Sequence, residues 1–263
     1  MLWSVKSDKR TLAVFIPQYF THIFENYNNK DVLLINHLTK IISDEIKLLT
    51  FKPIRLDFTI FNLYLAFGIF FTWLCGVGRY WDNPKADMWQ YLGLGSVAYI
   101  FILALIIWLV IAPLKPNNWS YKNVLLFISL TAPPAILYAI PVEQFMSLKS
   151  AQTANVWFLA IVAIWRIALL LKYLKDVAGL SGLCVFVATL LPLTLIVTGL
   201  TALNLEHVVF KIMAGLEEHE KSANDNAYSV LVLITTFSVI ASPVLLSMYG
   251  WLIYKRKSIP FNK

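Results

Sequence analysis

The chain has 263 residues, of which 59% are apolar and 14% charged, with a net charge of +7 and a mean hydropathy of +0.67. An ordinary soluble domain carries roughly 25% charged residues, and a disordered chain has far less apolar surface to bury, so both are excluded. Ten Gly and eleven Pro leave no room for collagen or a low-complexity linker. The composition predicts an all-α polytopic membrane protein.

The first 56 residues form a cytoplasmic amphipathic segment. Its first apolar stretch, Leu12 to Ile16, is too short for the core of a cleavable signal and is followed by Pro17. From Val32 to Leu49 the apolar residues Leu34, Leu38, Ile41, Ile42, Ile46 and Leu49 recur at helical spacing, with Asp31 placed to cap the start. The opposite face carries Asn36, Thr39, Lys40, Asp44 and Lys47. Such a helix either lies on the membrane surface or docks a partner protein. The mixed acidic and basic face argues against a pure sensor of anionic lipid.

A bilayer core takes about 20 apolar residues per helix. Six runs of that length are expected as transmembrane helices at about 58–78, 90–114, 123–142, 153–172, 178–202 and 228–252, making residues 57–254 a six-helix domain and 255–263 a basic cytoplasmic tail. Trp and Tyr gather at the ends of these runs, where amphipathic rings mark the membrane interface. If the N-terminus is cytoplasmic, 16 Lys/Arg lie inside, five outside and one within a span. That asymmetry predicts both termini inside. Counting the acids as well gives an inner face of about +9 and an outer face of about −3. The basic balance is therefore orientation rather than a nucleic-acid signal, for which no basic soluble domain exists.

Arg166 is the charge within a span. It sits near the middle of span four, where insertion costs about 2.5–3.5 kcal/mol, so it must face a polar neighbour, a cavity or a partner. Glu143, at the outer end of span three, is roughly 15 Å away along the axis. Pro133 and Pro134 fall at the centre of span three and free the carbonyls that precede them. Those carbonyls, with the hydroxyls of Ser129 and Thr131, are candidate acceptors for the guanidinium. Pro192 and Pro243 add kinks to spans five and six. Hydroxyl-lined broken helices around Arg166 are the alternative reading, a transporter or lipid-handling protein.

The outer loop after span one, with Arg79, Trp81, Asp82 and Asp87, is dense in polar and aromatic groups and is the second candidate site. The loop at 206–225 contains His207 and His219, twelve residues apart and without metal-ligand spacing, so no metal is expected. Cys75 and Cys184 are read as small buried residues. There is no GxGxxG, Walker A or GxSxG motif, and no cofactor or catalytic group is expected.

The stretch Trp119-Ser120-Tyr121-Lys122-Asn123, leading into Ser129-Leu130-Thr131-Ala132-Pro133-Pro134, resembles the Yip1-type multi-span membrane proteins, in which a cytoplasmic segment precedes the bundle. The resemblance covers about 30 residues and the general layout. It implies a non-catalytic role in membrane organisation. Together these features lead to an expected scaffold or assembly subunit, its partners the lipid bilayer and a protein bound by the N-terminal segment. The lack of disulfides and of glycosylatable outer loops fits a bacterial inner membrane.

Overall fold

The computed structural model describes residues 32–54, 57–81, 87–203, 205 and 226–258. Every regular element among them is helical. The chain divides into two compact units, with the break between Ile60 and Phe61.

In the first unit, residues 32–49 form helix α1. Its exposed side carries Leu34, Ile35, Leu38, Ile42 and Ile46, while Ile41, Asp44, Glu45 and Leu48 are buried. The expected apolar face is thus divided. Ile41 leaves it, Leu49 is half-buried, and Asp44 lies on the buried side rather than on a solvated face. The spacing 41, 44, 45, 48 is itself a helical stripe, so the helix has two faces with an apolar component. Lys40 pairs with Asp57 at 2.6 Å and Lys47 with Asp44 at 3.0 Å.

The second unit contains α2 (Phe61–Tyr80), α3 (Met88–Tyr91), α4 (Leu94–Ile111), α5 (Tyr121–Leu130), α6 (Leu148–Asp176), α7 (Gly182–Ala202) and α8 (Asn226–Ser258). Among the described residues, five helices are long and apolar enough to cross a membrane, and six if α5 and the 3₁₀ segment Pro133–Ala139, bent by 44°, count as one span. Large apolar side chains such as Ile102, Ile164, Leu233 and Ile240 are more than half exposed. In water these would form patches far beyond those of a monomeric protein, and they suit a lipid-facing surface.

Span three, expected over 123–142 with Pro133 and Pro134 at its centre, is bent there by 44°. The α-helix stops at Leu130 and continues as 3₁₀ turns, because Pro133 and Pro134 lack the N–H groups an α-helix would use. Pro192 and Pro243, by contrast, lie inside unbroken helices. Span two is also divided. Gly93, with φ +64°, separates α3 from α4, and a Cβ there would come within 2.8 Å of the Trp73 carbonyl. Gly68 lets α2 approach α5 so closely that a Cβ would sit 2.3 Å from Ser129 Oγ.

Polar contacts tie the bundle together. Trp81 Nε1 donates to the Ala139 carbonyl at 3.0 Å, and Trp73 Nε1 to Leu92 at 3.0 Å. Thr198 and Ser242 hydroxyls meet at 3.0 Å between α7 and α8. At the C-terminal end of α8, Arg256 donates to the Leu114 and Lys115 carbonyls.

Candidate functional site

The side chain that needs most explanation is Arg166, ten residues before the end of α6 at Asp176. It shares a helical stripe with Val162, Leu169 and Leu170, all of them buried. Arg166 itself is only partly buried. Its Nε donates to the Thr131 carbonyl at 3.0 Å.

The broken helix explains why that carbonyl is available. In an α-helix the Thr131 carbonyl would accept from the N–H of residue 135. Here the Ala135 N–H turns to the Ala132 carbonyl at 2.9 Å, in the tighter i to i+3 pattern. The Ala132 and Thr131 N–H groups likewise bond to Ser129 and Ile128 at 3.2 Å each. Thr131 is left with an orphan carbonyl, which the guanidinium takes.

The hydroxyls expected to help do something else. Ser129 Oγ donates to the Leu126 carbonyl at 2.8 Å, and Thr131 Oγ1 to Ile128 at 2.7 Å. Both are buried and satisfy the end of α5 rather than Arg166, because a hydroxyl reaches its own preceding turn more readily than a neighbouring helix. Pro133 and Pro134 open the 3₁₀ segment and act through the backbone. Glu143 belongs to a separate 3₁₀ turn, Val142–Gln144. Its side chain lies outside the described residues.

Two side chains, Cys75 and Tyr138, pack beside the break and against Val162, one turn before Arg166 on α6. Cys75 Sγ contacts the Ala132 carbonyl at 3.5 Å, and Cys75 packs with Ala135, Val162 and Tyr138. Tyr99 is 51% exposed, on the same outward stripe of α4 as Ile102 and Leu109. The signal for Cys75 and Tyr138 is their type, polar groups within apolar runs, but nothing in the sequence brings α2, span three and α6 together there.

The second candidate site is only partly described, and Asp82 lies outside the described residues. Arg79 stacks 5.5 Å from the Tyr80 ring and 5.3 Å from the Tyr138 ring. Trp81 bonds Ala139, as above. Asp87 is the cap of α3, with its backbone N–H donating to Gln90 Oε1 at 2.8 Å. Three of the four named residues therefore have structural work at this end of the bundle.

Helix α1 has electrostatics of its own. Burial pushes the Glu45 carboxyl up to about 8, and neither of its oxygens has a hydrogen-bond partner among the described residues. Hydrogen bonds from Lys40 and Thr59 hold Asp57 well below the usual carboxylate range. Among the described residues no three His, Cys, Asp or Glu side chains group to hold a metal. His207 and His219 lie outside them. Comparison with known proteins gives no match to a family model, a curated protein or a solved structure.

Proposed function

We propose that this chain is a non-enzymatic integral membrane protein acting as a membrane-organising scaffold or assembly subunit. In this reading it crosses a bacterial inner membrane six times, with the bent pair as one span and both termini cytoplasmic. The positive-inside bias supports that orientation.

The observation that carries the reading is the exposed stripe Leu34, Leu38, Ile42 and Ile46 on α1. An amphipathic helix of this kind binds either lipid or a protein groove. The lysines favour protein. Lys40 and Lys47 are paired with Asp57 and Asp44, which reduces the net positive charge α1 offers to anionic headgroups. A photo-crosslinking side chain at Ile42 or Ile46 in membranes tests the proposal. The expected product is a discrete protein adduct from both positions. Adducts to lipid alone would overturn it.

The transport reading draws on the same Arg166. The Nε bond to the broken span favours a strut between helices over a free substrate-binding cation, since the guanidinium already satisfies a main-chain carbonyl of the neighbouring span.

A further inference from the structure

Four helix ends meet at one end of the second unit. The Asn117 N–H donates to the Ala178 carbonyl at 2.9 Å, which ties the turn after α4 to the turn after α6. Helix α8 is fixed to the same place. Its Tyr249 hydroxyl donates to the Val110 carbonyl at 2.5 Å, and Arg256 donates to the carbonyls of Leu114 and Lys115. The start of α5 joins through Trp119, whose ring lies 6.1 Å from that of Tyr173 near the end of α6.

These ends carry cations. Lys115 follows α4, Lys122 lies in the first turn of α5, Lys175 in the last turn of α6 and Lys255 in the last turn of α8, and all four are exposed. Among the described residues of this unit, the carboxylate at this end is Asp176, and it pairs with a fifth lysine, Lys172, at 2.5 Å. Aromatic rings hold two of the ammonium groups, Phe61 that of Lys122 at 4.1 Å and Trp251 that of Lys255 at 5.1 Å. The level of the cluster points to its ligand. The apolar spans end at Leu114, Asp176 and Arg256, so each lysine stands within about one turn of where hydrocarbon gives way to headgroups. Exposed Trp251 and Tyr254 share that level, as amphipathic rings do at a membrane interface.

We propose that this end of the second unit binds the phosphate of an anionic phospholipid through Lys115, Lys122, Lys175 and Lys255. Charge complementarity selects the occupant, because anionic headgroups are the acceptors found at this depth. Lysine stems lie along apolar surface and place their ammonium groups in the headgroup layer. The bonds between the turns hold the lysine backbones in position beforehand, so less ordering opposes binding. The contact lies on the bundle and holds whichever partner α1 takes.

The test uses full-length protein purified in neutral detergent, with phosphatidylglycerol and phosphatidylcholine of the same acyl chains added in equal amounts. Native mass spectrometry counts the lipids bound. A lysine in the headgroup layer contributes about fivefold to association. Phosphatidylglycerol is expected to be preferred by about tenfold or more. Lys115→Gln with Lys255→Gln, or Lys122→Gln with Lys175→Gln, lowers that preference by about fivefold or more. The same pairs changed to Arg keep it, which separates lost charge from lost folding. Equal binding of the two lipids overturns the proposal. So does a preference untouched by both Gln pairs, one lost equally in the Arg pairs, or one lowered as far by Lys47→Gln, which removes a cation from α1. Lipid displaced by inorganic phosphate at constant ionic strength makes a soluble phosphate the occupant and overturns it too.

Discussion

Arg166 Nε donates to the Thr131 carbonyl at 3.0 Å, across the break that Pro133 and Pro134 impose on span three. The two features depend on each other. The prolines force the local 3₁₀ pattern that orphans the carbonyl, and the guanidinium satisfies it where water is scarce. Replacing Arg166 with Met leaves that carbonyl unpaired. The expected loss is about 1–3 kcal/mol, read as an earlier unfolding transition of the purified protein in detergent. An unchanged transition would mean the bond contributes nothing.

Changing Pro133 and Pro134 together to Ala lets the helix run on. The Ala135 N–H then competes for the Thr131 carbonyl, and the 44° bend is expected to straighten. Distances between spin labels near the two ends of span three would lengthen. If they do not, the bend is set by packing rather than by the prolines.

The close approach of α2 to α5 makes Gly68→Ala costly, since the new methyl meets both the side chain and the backbone of Ser129, the latter at 2.9 Å. Overpacking of this kind costs about 1–3 kcal/mol. Gly95→Ala, in α4 with nothing within 4 Å, is expected to be neutral or stabilising by up to about 1 kcal/mol. Thermal unfolding of the two variants side by side checks the contrast.

Glu45 gives the N-terminal unit a pH dependence. Its carboxyl ordinarily titrates at 4.5 and is raised to about 8 when α1 is in place. Below 4.5 it is neutral in both the buried and the released state, and burial carries no ionisation cost. Between 4.5 and 8 only the released state ionises, and each pH unit costs about 1.4 kcal/mol of the buried arrangement. Above 8 the cost is full. Amide exchange in α1 should therefore quicken as pH rises through this window, after correction for its intrinsic rate, and Glu45→Gln should remove the trend. A variant that keeps the trend would place its origin elsewhere.

Much of the fold is legible because apolar run length is a direct physical requirement of a bilayer. The six runs correspond to the five long helices and the bent pair. The break in span three was less legible. Pro133-Pro134 announces a disturbance, but Pro192 and Pro243 lie inside unbroken helices, and one proline removes one N–H donor where two adjacent ones remove two in succession. Arg166 stood out as a lone charge. The packing of Cys75 and Tyr138 against Val162 beside it did not, because it depends on how the helices meet. On α1 the apolar spacing identified a helix, yet Ile41 is buried and Ile42 exposed, a division that periodicity alone does not resolve.

In the proposed function, α1 is the handle by which this protein joins an assembly. The most direct measurement is the mass distribution of the full-length protein extracted with its native lipids, compared with that of Ile42→Asp combined with Ile46→Asp. Assembly predicts a species heavier than the free chain that the double variant loses while the bundle remains inserted. An identical distribution for both proteins would contradict it.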